Sequence, residues 1–153
     1  MLTIVNGDIT KFEADAIVNA ANPQLLHGSS VSGAIHDATG ADEMRAACSP
    51  LAIVPHGEAV LTQGFNLPAR YVIHTPTPIW RGGKNNEKAM LHACYVNSLQ
   101  LALKHDLKSI AFPLLAAGLH GYPVDEALHI AESAINDFLE NSDAKINIYI
   151  VLL

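Results

Sequence analysis

The chain has 153 residues, half of them hydrophobic and 16% charged, with a formal net charge of −6. A chain of that length buries a substantial core as one domain, and its apolar fraction excludes intrinsic disorder. Nine scattered Lys and Arg form no basic stripe, which argues against a nucleic-acid polymer; an anionic ligand must be held by local amides against an unfavourable overall field.

In chain order, Leu2–Val5 reads as a strand closed by the turn dipeptide Asn6-Gly7. Met1–Val5 lacks the basic region and length of a signal peptide, and no apolar run approaches membrane-spanning length, so a soluble cytoplasmic protein is expected. Ile17–Ala20 is a second strand, too uniformly apolar to have a wet face. A glycine-bearing loop follows, and Gly33–Ala47 reads as a helix. Cys48 and Cys94 fit no metal or redox spacing and are expected to be reduced thiols. Glu58–Gln63 and Tyr71–Thr75 are further strands, the second closed by Pro76 and Pro78.

After the polar loop Trp80–Asn86, the spacing of Met90, Leu91, Cys94, Tyr95, Ser98, Leu99 and Ala102 predicts a helix. Asn86-Glu-Lys88 reads as its solvated start. Ser109–Leu114 is a buried strand, followed by a second glycine loop, Ala116–Tyr122. Pro123 is placed to start a helix with an apolar stripe of Ala127, Ile130, Ala131, Ala134, Ile135 and Phe138. Ile146–Leu153 is the last strand. The chain ends inside it, which implies either a cut chain lacking a C-terminal helix or a neighbour covering that edge. The alternation predicts a three-layer α/β/α sandwich with a mixed, mostly parallel central sheet, residues 1–153 forming a single domain.

Both glycine loops directly follow strands and precede helices. In such folds ligands sit beyond the carboxyl ends of the strands, where loop amides and the first helical turn attract anions. Gly28 and Gly33 have P-loop spacing, but Ala34 and Ile35 stand where Lys and Ser/Thr are needed, and no GxGxxG follows a strand. A diphosphate gripped from two sides by main-chain N–H groups fits better. Eight histidines suggest a metal, but no HExxH and no Cys–His cluster with ligand spacing occurs. Neither a metal nor a cofactor is expected.

These residues carry a family resemblance. Val5-Asn-Gly-Asp-Ile-Thr10, Ala16-Ile-Val-Asn-Ala-Ala-Asn22, Val31-x-Gly-Ala-Ile-His36, Leu67–His74, Asn97-Ser-Leu99, Ser109–Pro113 and Gly118–Pro123 occur in the order found in macrodomains, and the chain resembles that ADP-ribose-binding family over nearly its whole length. Trp80-Arg-Gly-Gly83 resembles the bacterial branch of O-acetyl-ADP-ribose deacetylases and mono-ADP-ribosyl hydrolases. The resemblance implies that Asp8 accepts from the adenine amine, with Ile9 beside it; the plain alternative for Asp8 is an Asx-turn. It implies a first diphosphate loop at Gly28, Ser29, Ser30, Val31 and Ser32, and a second at Ala116, Ala117, Gly118, Leu119 and His120. It also implies Asn22 at the distal ribose and Leu153 against adenine, where many relatives have an aromatic.

The departures are informative. Relatives usually carry a run of glycines where this chain has His27-Gly28-Ser29-Ser30, so any of these positions needing φ > 0 carries a steric cost. Ser32 replaces an aspartate held to position or activate the attacking water, and an unassisted hydroxyl is no base near neutral pH. Ala116 and Ala117 replace hydroxyl residues but keep their amides. His120 stands at an often aromatic position; a protonated His120 facing the diphosphate would tighten binding at mildly acidic pH. The leading expectation is therefore a binder of ADP-ribose, free or as a mono-ADP-ribosyl group on protein, with weak or absent hydrolysis. Three alternatives stand beside it. One is the deacetylase or hydrolase activity itself; another is a Ser32–His36 pair acting as an esterase-like dyad. The third is an interaction module with a degenerate ligand site.

Overall fold

The computed structural model describes residues 1–153. Six strands form one sheet: β1 (Leu2–Asn6), β2 (Ala16–Ala21), β3 (Val60–Gln63), β4 (Tyr71–Pro76), β5 (Ser109–Phe112) and β6 (Asn147–Leu152). Their spatial order is β1-β6-β5-β2-β4-β3, with only the β3–β4 pair antiparallel. The mixed, mostly parallel sheet is as expected.

Strand β2 lies between two partners and beneath two helical layers. Its even members (Ala16, Val18) join a core with α3 (Glu87–Lys104) and α4 (Val124–Glu140), while Ile17 and Ala21 join a core on the opposite face. That second face is covered by α1 (Ser30–Thr39) and α2 (Ala41–Cys48), through Ile35, Met44 and Cys48. Burial on both faces explains its lack of polar alternation. The apolar stripes of α3 and α4 are buried as their spacing predicts, with Leu91, Cys94, Tyr95, Leu99, Ala127, Ala131 and Ala134 fully enclosed.

Strand ends shift by one or two residues, as at β3, which begins at Val60, and three further boundaries differ from expectation for a local reason. The helix expected over Gly33–Ala47 is two helices, broken at Gly40, whose φ of 101° lies outside helical space. Strand β5 stops at Phe112 because Pro113 has no N–H to continue the ladder. Pro123 sits just before α4 rather than inside it.

The register creates the crevice. Strands β2 and β5 pair only at Ala16↔Ile110 and Ile17↔Ala111. Beyond these two rungs the strands part, and Ala20, Pro113 and Leu114 line the gap that opens between their carboxyl ends. The two loops that leave β2 and β5 form its walls.

Candidate functional site

The cleft encloses about 270 Å³ and is lined by Ala20, Asn22, Thr77, Pro113 and Leu114 together with residues 28–32, Ala116 and residues 118–120. Not one lining side chain is Asp, Glu, Lys or Arg. Any anion held here is held by dipoles.

The first wall begins with a self-folded loop. The Asn22 carboxamide accepts from Leu26 N at 3.0 Å and donates to Leu26 O at 3.1 Å, closing the turn after β2. Its oxygen retains a second lone pair and its nitrogen a second proton for a ligand. Gly33 then lets the loop fold back against the start of α1: a Cβ there would lie 2.5 Å from Gly28 O and 3.2 Å from the His27 ring. Ser30 adopts φ 57°, the left-handed conformation that the glycines of relatives accept more readily. The first helical bond comes from Gly33 N to Ser29 O at 3.4 Å, and the amides of Ser29, Ser30, Val31 and Ser32 donate to no protein acceptor. These are the free donors of a helix N-terminus, aided by its dipole.

The second wall is braced from within. Leu115 N donates to the buried Tyr95 hydroxyl at 3.1 Å, and Tyr122 N donates to Ala116 O at 2.9 Å. Ala116 has φ 67°. The amides of Ala116, Gly118, Leu119 and His120 have no protein acceptor, whereas Ala117 N donates to Leu114 O at 3.4 Å. Ala117 is accordingly absent from the lining; its amide closes the turn. The His120 ring places Nδ1 2.7 Å from Thr77 Oγ1 and 3.2 Å from Pro78 O.

Besides Ala117, four of the residues singled out from sequence lie off the cleft lining. Asp8 follows β1 and caps a short 3-10 turn (Ile9–Lys11): its Oδ1 accepts from Thr10 N at 3.0 Å and Thr10 Oγ1 at 2.6 Å. The Thr10 side-chain and backbone bonds hold its carboxyl below the usual range. The Asx-turn is therefore present, and Oδ2 is left without a protein partner. Leu153, 93% exposed, follows β6, and Gly7 N to Leu152 O at 2.7 Å ties the two strand ends together. Ile9 is buried beneath them in the core under α1.

His36 is buried on α1, its ring 6.2 Å from that of His74 and 5.7 Å from that of His27. Burial, and then His27, lower its pKa. Ser32 Oγ and His36 Nε2 are both buried without a hydrogen-bond partner, so the one-turn spacing does not make them a bonded pair. His74 bonds Asn19 Nδ2 at 3.0 Å and Thr62 Oγ1 at 2.9 Å, and burial pushes its pKa down to about 3. It is a neutral core residue.

One important residue differs from its sequence reading. Glu87 is 2% exposed, not solvated. Its Oε2 accepts from Arg81 N and Gly83 N, each at 2.9 Å, and its Oε1 from Asn85 N at 2.6 Å. The Arg81 amide first, then those of Gly83 and Asn85, bring its carboxyl down to about 2. Gly82, Gly83 and Asn86 all have φ between 66° and 91°, a backbone concave enough to wrap an anion. Two adjacent glycines shortly before a helix-start carboxylate were the available signal.

Comparisons with known proteins identify the family. Residues 18–131 match the model of the Macro domain family. The O-acetyl-ADP-ribose deacetylase of Citrobacter rodentium is 47% identical over 152 residues, which cover 97% of this chain and 85% of that protein. A mutant of the Oceanobacillus iheyensis macrodomain has a TM-score of 0.93 at 42% identity, covering 99% of this chain and 84% of that one. A second mutant of it, solved with ADPR, gives 0.89 at 43% identity, with the same two coverages. The chain belongs to the Macro domain family.

Proposed function

We propose that this macro domain binds ADP-ribose, free or as the mono-ADP-ribosyl group of a modified protein, and hydrolyses it weakly or not at all. The observation that carries the reading is the pair of amide rows, Ser29–Ser32 and Ala116 with 118–120, free of protein acceptors on the two walls of one cleft. A diphosphate offers acceptors to both rows, and the absence of lining charges makes backbone dipoles the source of affinity. Asp8 Oδ2 supplies an acceptor-only atom for an exocyclic amine at the β1 end of the same sheet edge.

Weak hydrolysis follows from Ser32. The macrodomain resemblance places a carboxylate there, and Ser32 Oγ makes no hydrogen bond to a group that could take its proton. Loss of a general base costs about 10²–10⁴-fold in rate. The test is calorimetric titration of ADP-ribose into wild type, Asp8→Ala and Ser32→Asp, alongside turnover of a mono-ADP-ribosylated protein. Asp8→Ala should bind more weakly, and Ser32→Asp should hydrolyse faster than wild type. A wild-type chain that does not bind ADP-ribose would refute the reading and leave an interaction module with a degenerate site.

Relatives named O-acetyl-ADP-ribose deacetylase support a second reading, ester cleavage in the same cleft. Turnover of O-acetyl-ADP-ribose by wild type, lost in Ser32→Ala or His36→Ala, would favour it.

A further inference from the structure

The cleft's second wall has a brace outside the cleft. Trp80 N donates to His120 O at 2.8 Å. The Trp80 ring packs on Tyr122 with centroids 4.6 Å apart, and Tyr122 N closes the loop on Ala116 O. The same indole lies over Gly83, where an added Cβ would stand 2.9 Å from its edge. Gly83 can approach so closely only because it has no side chain and holds φ 87°. What holds Gly83 there is Glu87, which also takes the amides of Arg81 and Asn85. A continuous path of contacts therefore runs from a buried carboxylate on α3, through Trp80, to the loop that carries the amides of residues 118–120.

The geometry points to Glu87 as a positioning residue for the ligand: its carboxylate, enclosed by residues 81–85, fixes Trp80 against Gly83 and Tyr122 and so sets the conformation of the second amide row. Glu87 itself touches no ligand and is not among the residues lining the cleft. Its effect is conformational. Backbone donors act on a diphosphate only while their peptide planes stay oriented, and a shift of an ångström in a preorganised site is costly. Residues 118 and 119 are exposed and their own amides make no internal bond; the one bond to them, Gly121 N to Gly118 O at 3.0 Å, and the loop's end at Ala116 orient them from Ala116 and from His120–Tyr122. Trp80 holds the second of those ends. The polar loop Trp80–Asn86 is thus a support that reaches the site without entering it.

This inference rests on the ADP-ribose reading, and the experiment separates the two. Trp80 is the only tryptophan in the chain, so its emission reports the brace directly. Wild type, E87A and E87Q are titrated with ADP-ribose at a temperature where circular dichroism shows each to be folded, and the Trp80 emission of each is recorded. In E87A the emission should shift to the red as the indole loses its seat, and the ADP-ribose Kd should rise at least tenfold. E87Q keeps one acceptor oxygen and should fall between the two. A folded E87A with unchanged Trp80 emission, or with a Kd within twofold of wild type, would overturn the proposal and leave ADP-ribose binding standing. Wild type that does not bind would overturn both. If E87A does not fold, W80L tests the same path with the Glu87 carboxylate intact: a tenfold loss supports transmission through the indole, and a Kd within twofold refutes it.

Discussion

Ser30→Gly should stabilise the protein without weakening the proposed binding of ADP-ribose. Ser30 adopts φ 57° at the exposed start of α1, a conformation that costs an L-residue about 1–2 kcal/mol through the approach of Cβ to the carbonyl. Glycine removes that cost but gains about 0.5–1 kcal/mol of conformational freedom in the unfolded chain. The balance is about 0.5–1 kcal/mol in favour of Ser30→Gly. At roughly 2–4 °C per kcal/mol for a domain of this size, the melting temperature should rise by about 1–4 °C. Thermal melts and urea titrations read the gain. The same samples titrated with ADP-ribose ask whether the Ser30 hydroxyl contributes: a hydrogen bond from it to the charged phosphate is worth about 1.5–3 kcal/mol, or roughly ten- to 150-fold in Kd. An amide-only grip predicts a Kd within about twofold of wild type. A lower melting temperature would show that the loop does not rest in the left-handed conformation. A fivefold or larger loss of affinity would show that the serine side chain is part of the site.

Two further outcomes follow from the same structure. Gly33→Ala puts a Cβ 2.5 Å from Gly28 O and should cost about 1–3 kcal/mol, as overpacking does. It should also displace the first amide row, so a variant that matches wild type in urea midpoint and ADP-ribose affinity would refute the fold-back geometry. His74, with its pKa down to about 3 when folded against an ordinary 6.5, is protonated more readily in the unfolded chain. Stability should therefore fall as pH drops below about 6.5 and keep falling toward 3, by up to about 1.4 kcal/mol per pH unit. His74→Gln should flatten that slope in urea titrations between pH 7 and 5, and an identical slope would count against the assignment.

The sandwich was legible because its signals are local and periodic. The uniformly apolar run at Ala16–Ala21 and the stripes of α3 and α4 state which faces are buried, and the structure buries them. The break at Gly40 was not legible, since a stripe of Ile35, Met44 and Cys48 on one core continues across two helices as readily as along one. The two loops could be placed from glycine positions and strand ends. What their side chains do could not. Asn22 spends one lone pair and one proton on Leu26 four residues away, and Ala117 spends its amide on a turn; neither commitment has a composition. His36 and Ser32 share a helical spacing, but spacing does not say that burial beside two other histidines isolates the ring. Glu87 was misread for the reverse reason: a charged residue at a helix start is usually solvated, and only the folded loop shows its oxygens enclosed by amides.

The two walls share one device, which explains how a cleft without charged side chains can be a site for an anion. In each, a non-glycine residue close to a run of amides with no protein acceptor stands in the left-handed region, Ser30 at φ 57° and Ala116 at φ 67°. A left-handed residue beside right-handed ones turns successive N–H groups toward one point instead of along a helix or strand. Such residues carry strain and persist only where their surroundings over-determine them. At the first wall the constraint is the close fit of Gly33 against Gly28 O. At the second it is the Tyr122 N to Ala116 O bond, which Trp80 and, behind it, Glu87 support. The residues that control this site are therefore those that fix peptide orientation, and substitutions at Ala117 or Leu119 that preserve the backbone should matter less than a change at Gly33 or Glu87, which contribute no ligand-facing side chain.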